Sequence, residues 1–242
     1  MQSIKWGIQM YKCNKCRDML FILNKDEAIP CECRDIRIAE TILQKSGISE
    51  KFREKTFESF KYEIDSDILR AYTKAVNYSN DFIKYFNDNK NKRAINKISS
   101  IILVGQVGSG KTHLSMAIAN TLLSNGISVI YMPFRDIITK IKQNILDEEY
   151  YKKYISRYQR AKVLLIDDLF KGNISKSDIN IIFEIVNYRY LNNLPMIISS
   201  EYDVNSLLQI DEAIGSRLIE MSEENIVQIK GKKLNYRIYK GK

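Results

Sequence analysis

The chain has 242 residues, of which 45% are hydrophobic and 28% are charged, and its formal net charge is +9 at pH 7. This length suits one large domain, or one ordinary domain with a small appendage. The apolar runs are only strand length, which excludes a membrane-spanning helix, and the first twenty residues lack the apolar stretch of a secretory signal. We therefore expect a cytoplasmic protein, and its positive charge indicates either a polyanionic partner or merely a lysine-rich surface.

The four cysteines of the chain all lie near its start, as Cys13-x2-Cys16 and Cys31-x-Cys33. Two close pairs of thiolates can complete a tetrahedral zinc site, which supplies folding free energy to a unit too small for its own core. Disulfides are disfavoured in a reducing cytoplasm, and unligated thiols or an iron–sulfur cluster are the alternatives. We predict a zinc-binding domain over residues 1–46 with these four cysteines as ligands.

A connecting segment, residues 47–100, follows the cysteines. Apolar residues recur at helical spacing between Ile68 and Phe86, after N-cap candidates at 65–67, and predict a long amphipathic helix. A polar stretch at 87–100 indicates a loop into the next domain.

From residue 101 onward, short apolar segments alternate with helical ones, which is typical of a parallel sheet with crossover helices. The predicted strands are 101–104, 129–132, 163–166 and 196–199, and the predicted helices are 113–124 and 177–191. The fold class is therefore α/β, with a parallel-sheet core over residues 101–242 that carries a phosphate-binding loop.

This loop is an eight-residue pattern that follows the first predicted strand of the core. It consists of Gly105, Gln106, Val107, Gly108, Ser109, Gly110, Lys111 and Thr112. Glycines let the backbone curl so that its N–H groups point at phosphate oxygens, and the next helix presents its positive N-terminal end to the same charge. In such a loop the lysine reaches the β- and γ-phosphates, and the hydroxyl binds Mg²⁺. We predict ATP and Mg²⁺ as cofactors.

Two acidic residues, Asp167 and Asp168, end the strand predicted at 163–166. Asp167 is expected to bind Mg²⁺, directly or through water, and Asp168 to polarise the attacking water as a general base. Lys111 and Asp168 are therefore predicted to be catalytic. His113, the single histidine, is expected to serve helix packing or to be exposed.

The order of these motifs resembles the AAA+ ATPases, and more closely the bacterial and phage replicative-helicase loaders of the DnaC and DnaI type. The similarity extends to the segment 46–60, to Gly215-Ser-Arg217 and to Asn235-Tyr-Arg237. The resemblance implies that Arg217 is an arginine finger, which enters the nucleotide site of a neighbouring subunit. It also implies that Arg237 contacts the γ-phosphate within its own chain.

One position departs from the family pattern. Family members often place an asparagine at the end of the strand predicted here at 196–199, where this chain has Ser199, Ser200 and Glu201. We expect Ser200 to contact the nucleotide site, with Ser199 and Glu201 as the alternatives.

The resemblance implies a function and partners. The chain would load a hexameric replicative helicase onto single-stranded DNA, dock on the helicase through its cysteine unit, and assemble with ATP into a spiral oligomer. Residues 135–160, rich in basic and tyrosine side chains, would line the DNA path. The alternative is an IstB-type transposition helper ATPase. A small-molecule kinase and a nucleic-acid-binding module with a vestigial loop are hypotheses of other classes.

Overall fold

A computed structural model of the chain describes residues 11–24, 27–34, 37, 41, 44–61, 65–88, 99–231 and 234–239. The chain divides into two compact units, Met1–Thr41 and Ile42–Lys242. None of the described helices combines the length and apolar character that a membrane crossing requires.

The first unit contains an antiparallel hairpin of two short strands, β1 (Phe21–Asn24) and β2 (Glu27–Pro30). The backbone N–H of Cys31 donates to the carbonyl oxygen of Leu20 at 2.9 Å, where the chain leaves the hairpin. The hairpin thereby closes the stretch between the two cysteine pairs and brings them together.

The second unit begins with a short helix, α1 (Glu50–Arg53), and a long one, α2 (Ser66–Asp88). The predicted amphipathic helix is confirmed, and Asp65 caps its start by accepting the N–H of Asp67 at 2.7 Å. The helix continues through residues 87 and 88, which were expected in the loop, and residues 89–98 of that loop lie outside the described part.

A parallel sheet forms the centre of the second unit, as predicted, but it has five strands and not the four predicted ones, in the order β4–β5–β6–β3–β7. They are β3 (Ile101–Gly105), β4 (Val129–Pro133), β5 (Val163–Asp167), β6 (Met196–Ser200) and β7 (Ile226–Ile229). Every residue of β3, β5 and β6 is buried, because helices cover both faces of a parallel sheet.

The remaining helices of the second unit lie between and after the strands along the chain. They are α3 (Lys111–Ser124), α4 (Phe134–Gln143), α5 (Glu148–Gln159), α6 (Lys176–Leu191), α7 (Val204–Ile210), α8 (Glu212–Ser222), a 3₁₀ turn (Glu223–Asn225) and α9 (Tyr236–Tyr239). Successive residues of a strand face opposite sides of the sheet. Ile101 and Leu103 accordingly pack with α2 and α3, whereas Ile102 and Val104 pack with α4, α6 and α8.

The carboxyl ends of β3, β5 and β6 meet at one edge of the sheet. Val104 lies opposite Ser200, and Ile166 lies opposite Ile198. Ligands of open α/β sheets bind outside the carboxyl ends of the strands. This edge carries the phosphate-binding loop, the two aspartates and the residues after β6.

Candidate nucleotide-binding site

The loop between β3 and α3 packs closely against the C-terminal part of the chain. Gly105 and Gly108 have φ angles of +140° and +75°, which side chains other than glycine rarely adopt. A Cβ atom at Gly105 would lie 2.1 Å from the carbonyl oxygen of Ile229, and one at Gly108 would lie 2.1 Å from Oδ1 of Asn235. The glycines are therefore required by packing as well as by backbone conformation.

Lys111 is folded onto the loop. Its Nζ donates to the carbonyl oxygens of Gly105 at 2.8 Å and of Gln106 at 2.7 Å, and the residue is only 5% exposed. Burial lowers the pKa of Lys111, and the nearby carboxylates of Glu201 and Asp168 oppose that effect. The two loop carbonyls balance the positive charge of this ammonium only in part. An anionic phosphate bound beside it would complete that balance.

A second feature of the loop fits a phosphate ligand. Ser109 is 2% exposed, and its Oγ has no hydrogen-bond partner among the described residues. Buried hydroxyls are normally hydrogen-bonded. Ser109 lines the same cleft as Lys111, so a phosphate oxygen bound there could accept its hydrogen bond.

Asp167 accepts hydrogen bonds from hydroxyl groups on three elements. Its Oδ1 accepts from Thr112 at 2.9 Å and from Ser199 at 2.6 Å, and its Oδ2 accepts from Tyr131 at 3.3 Å. Burial raises the pKa of Asp167, and the hydrogen bond from Ser199 opposes this effect. A carboxylate beside a threonine hydroxyl is an oxygen ligand pair that suits Mg²⁺.

Asp168 is directed into the cleft by an unusual backbone conformation. Its φ is +56°, and Phe170 follows with +64°. Non-glycine residues in this region are strained and cluster at functional sites. Phe170 is fully buried against Phe134, while the N–H of Asp168 donates to Oγ of Ser199 at 2.9 Å. The turn thus buries one side chain and presents the carboxylate beside it to the cleft.

The cleft has a volume of about 530 Å³, which lies within the roughly 300 to 1,000 Å³ that is usual for ligand sites. Its lining combines two kinds of side chain. The charged and polar ones include Ser109, Lys111, Thr112, Asp168, Lys171 and Glu201, and the aromatic and aliphatic ones include Phe52, Phe60, Ile68, Val107, Leu234 and Tyr236. Such a lining suits a ligand with an anionic chain and a flat apolar ring, as in a nucleotide.

His113 fixes the segment that precedes α2 against the loop helix. Its Nε2 donates to the carbonyl oxygen of Thr56 at 2.9 Å and lies 3.2 Å from Oγ of Ser59. Its ring meets that of Phe60 edge-on at 5.1 Å. Burial lowers the pKa of His113. The expected packing role is confirmed, and it places Phe60 in the cleft wall.

Not every predicted site residue lies in this cleft. Ser200 is fully buried, and its hydroxyl donates to the carbonyl oxygen of Leu169 at 2.9 Å. Glu201, and not Ser200, is among the described residues that line the cleft. The side chain of Arg237 lies outside the described part of the structure. Arg217 contacts α6 and does not belong to the described lining of its own cleft.

Lys171 lines the cleft but was not predicted. Its Nζ lies 2.7 Å from Oδ2 of Asp168 and 3.2 Å from Oε1 of Glu201. The lysine comes three residues after Asp168, and that spacing was the only sequence feature that could have drawn attention to it.

The first unit carries the candidate zinc site. One metal-binding sulfur from each of Cys13, Cys16, Cys31 and Cys33 lies within 4.8 Å of the other three. The Cys13–Cys31 and Cys16–Cys33 sulfur pairs are 3.8 and 3.5 Å apart, close to the ~3.8 Å that Zn–S bonds of about 2.3 Å imply for a tetrahedron. The backbone N–H of Cys16 lowers the pKa of Cys13 to about 7. The four thiols therefore fit zinc.

The sheet order, the phosphate-binding loop after β3 and the two aspartates at the carboxyl end of β5 define a P-loop protein with the AAA+ fold. Two solved structures share this fold. A DnaI structure covers 78% of this chain and 94% of its own length with a TM-score of 0.59 and 19% identity. A structure of the DnaC helicase loader covers 75% of this chain and 100% of its own length, with a TM-score of 0.59 and 24% identity.

Sequence comparison identifies the family. Residues 18–238 match the family described as IstB-like ATP binding protein, and the chain belongs to that family. The phage-like element PBSX protein XkdC of Bacillus subtilis is 34% identical over 241 residues, which span 94% of this chain and 86% of XkdC. Protein YqaM of the same organism is 36% identical over 217 residues, 86% of this chain and 66% of YqaM.

Helicase loaders are among the relatives as well. The replicative helicase loader DnaC of Buchnera aphidicola is 28% identical over 186 residues, which span 75% of this chain and 68% of that protein. The resemblance to the DnaC and DnaI group that the motifs indicated is thereby confirmed.

Proposed function

We propose that the chain is a Mg²⁺-dependent ATPase that loads a hexameric replicative helicase onto single-stranded DNA. The observation that carries the ATPase part is the cleft itself. It is lined by residues 107–112 of the phosphate-binding loop, in which Thr112 is hydrogen-bonded to Asp167, and by the carboxylate of Asp168.

Each of these residues has a separate task in hydrolysis. The loop N–H groups and Lys111 bind the β- and γ-phosphates, and Thr112 and Asp167 hold the cation. When bound, Mg²⁺ supplies positive charge that neutralises the phosphate oxygens. Asp168 orients a water molecule and accepts its proton as the water oxygen bonds to the γ-phosphorus and the bond to the β-phosphate oxygen breaks. ADP and inorganic phosphate are the products.

Three features support the loader part. The DnaC relative is by name a replicative helicase loader, and the cysteine unit is a separate compact unit, as a docking module requires. Helices α4 and α5 span the proposed DNA path at 135–160, where the rings of Tyr150 and Tyr154 stack at 4.3 Å beside exposed Lys152 and Lys153. Aromatic and cationic side chains together suit single-stranded DNA.

Assembly would complete the nucleotide site. We propose that Arg217 of one subunit enters the cleft of the next within an ATP-dependent spiral, and that Arg237 contacts the γ-phosphate of its own cleft. A loader works beside replicating DNA, so we also propose a cytoplasmic location.

A transposition helper ATPase of the IstB type is the second candidate. The family description favours it, because the match is to IstB-like ATP binding proteins. The zinc-fitting cysteine unit argues for the loader, since the helper function gives that unit no task.

Native mass spectrometry with the replicative helicase from the same organism tests the loader function. We expect a complex of helicase and several loader chains that forms with ATP and Mg²⁺. A Cys13→Ser, Cys16→Ser double variant should lose zinc and the helicase complex but keep ATP binding, because the cleft lies in the other unit. Absence of a complex with wild-type protein in either nucleotide state would refute the loader function, and stimulation of hydrolysis by a transposase would favour the alternative.

A further inference from the structure

A lysine sits between two carboxylates in the nucleotide cleft. The ammonium group of Lys171 lies 2.7 Å from the Asp168 carboxylate and 3.2 Å from that of Glu201, and the three side chains are 44%, 29% and 30% exposed. All three line the cleft together with Lys111. Beside Lys111, the cleft therefore holds an ammonium group at the Asp168 carboxylate that the hydrolysis described above does not use.

The backbone positions this group from two strands. Asp168 and Lys171 follow β5, and the N–H of Lys171 donates to the carbonyl oxygen of Asp168 at 3.0 Å, which closes a turn. Glu201 follows β6. The hydrogen bond to Asp168 raises the pKa of Lys171, so this lysine is protonated at neutral pH.

These ion pairs contribute too little to folding stability to explain the arrangement. Ion pairs with this degree of exposure add little to stability, because water screens them and the long side chains lose entropy. Strained backbone at Asp168 and a cation held at its carboxylate instead point to a ligand. The ammonium is carried on a flexible stem and remains partly exposed, so it can move from the two carboxylates to a phosphate that binds beside them.

We propose that Lys171 is a second phosphate-binding lysine that contacts the γ-phosphate of ATP, and that Glu201 holds it in place until the nucleotide binds. The inference rests on the proposed ATPase function. If Asp168 orients the water that attacks the γ-phosphorus, the γ-phosphate lies about one water molecule from its carboxylate. An ammonium group 2.7 Å from that carboxylate, on a flexible four-carbon stem, reaches the same phosphate.

The position proposed for Lys171 predicts that the cleft distinguishes ATP from ADP. ADP lacks the γ-phosphate, so Lys171 should favour ATP over ADP. Glu201 should act in the opposite direction, because its carboxylate competes for the ammonium and repels the added negative charge of ATP. A residue needed only for folding would change both affinities equally.

Calorimetric titration of Lys171→Met with MgATP and MgADP tests this role. We expect the Kd for ATP to rise about tenfold, as for the loss of one charge-assisted hydrogen bond, and the Kd for ADP to change less than about twofold. Lys162→Met is the matched control. It removes the same charge at the other end of β5, where the lysine ammonium lies 4.0 Å from the ring centre of Phe86, and should leave both values unchanged.

The Glu201→Gln variant tests the role proposed for Glu201 in the same titrations. We expect tighter ATP binding with little change for ADP, because the amide keeps the shape but frees the ammonium. Equal changes for both nucleotides in Lys171→Met, or no change in either, would overturn the role of Lys171 while leaving the ATPase proposal intact. Failure of the wild-type protein to bind ATP would refute the proposed function itself.

Discussion

Arg217 is held by contacts within its own protomer. Its Nε donates to Oδ1 of Asn187 at 3.0 Å, and its Nη1 donates to the carbonyl oxygen of Ala213 at 2.7 Å. The guanidinium lies 5.3 Å from the ring centres of both Phe183 and Tyr190, a distance at which cation–π attraction operates. The side chain is half-buried, so its orientation is set while part of it stays exposed.

The proposed transfer of Arg217 to a neighbouring site is testable by mixing variants. Arg217→Ala should keep ATP binding but lose hydrolysis by about a hundredfold or more, since one stabilising donor is removed. A mixture with Asp168→Ala chains should regain activity, because sites form that combine Asp168 of one chain with Arg217 of the other. Steady-state phosphate release measures both.

Arg217→Lys serves as the control in that experiment. It keeps the charge but loses the planar fork of donors, and we expect an intermediate rate. Wild-type hydrolysis by Arg217→Ala alone, or a mixture of the two inactive variants that regains no activity, would show that Arg217 does not act between subunits.

Local patterns predicted some site contacts and missed others. Thr112 and Asp167 could be paired from the sequence, because a phosphate-binding loop after one parallel strand and an acid at the carboxyl end of another meet at the same sheet edge. The direction of the Ser200 hydroxyl could not be predicted, because it is set by a hydrogen bond to the carbonyl oxygen of Leu169, which lies at the end of a neighbouring strand. Lys171 was missed for the same reason, because its partner Glu201 lies thirty residues away along the chain.

Among the elements, the strands with continuous apolar runs were predicted within one residue. β3 and β5 are entirely buried, so burial and sequence pattern coincide. β7 was missed because its four residues, Ile226–Ile229, include Gln228 and are buried only at alternate positions. Its place in the sheet is set by pairing with β3, and residues close together in the sequence carry no information about that pairing.

A buried arginine joins three elements of the second unit. Arg189, on α6, is fully buried. Its guanidinium donates to the carbonyl oxygens of Tyr158, Gln159, Ala161 and Pro195 at 2.7 to 3.0 Å. These carbonyls lie at the end of α5 and just before β5 and β6. Arg189 therefore anchors the end of the proposed DNA-binding helix to the sheet.

Replacement of this anchor should destabilise the fold. Arg189→Met leaves several buried carbonyl groups without a donor, and we expect a loss of about 3 kcal/mol or more in the free energy of unfolding. Arg189→Lys should restore part of it, because an ammonium has fewer donors. Urea denaturation measures the change.

The control for this prediction is Arg70→Met. Arg70 is on the surface, in a pair with Asp67 at 3.2 Å, and its loss should cost less than about 1 kcal/mol. Equal stability of Arg189→Met and wild-type protein would mean that the four hydrogen bonds contribute nothing net.

For the whole molecule, the α/β class with a parallel P-loop core and a small cysteine-bearing unit is confirmed. The predicted division at residues 46 and 100 stays a prediction. The compact units are Met1–Thr41 and Ile42–Lys242, and the second includes α2, which packs on α3 and β7. Amphipathic spacing predicted this helix but could not show which domain covers its apolar face.

Calorimetric titration of the folded chain with ATP tests most directly whether the cleft binds a magnesium nucleotide. We predict one site per chain, weaker binding after Mg²⁺ is removed with a chelator, and no detectable binding by Lys111→Ala, with Lys162→Met behaving as wild type. Lys111 should have this effect because its ammonium is the buried cation of the phosphate-binding loop. A folded wild-type protein that takes up no ATP, or a Lys111→Ala variant that binds ATP equally well, would contradict the prediction.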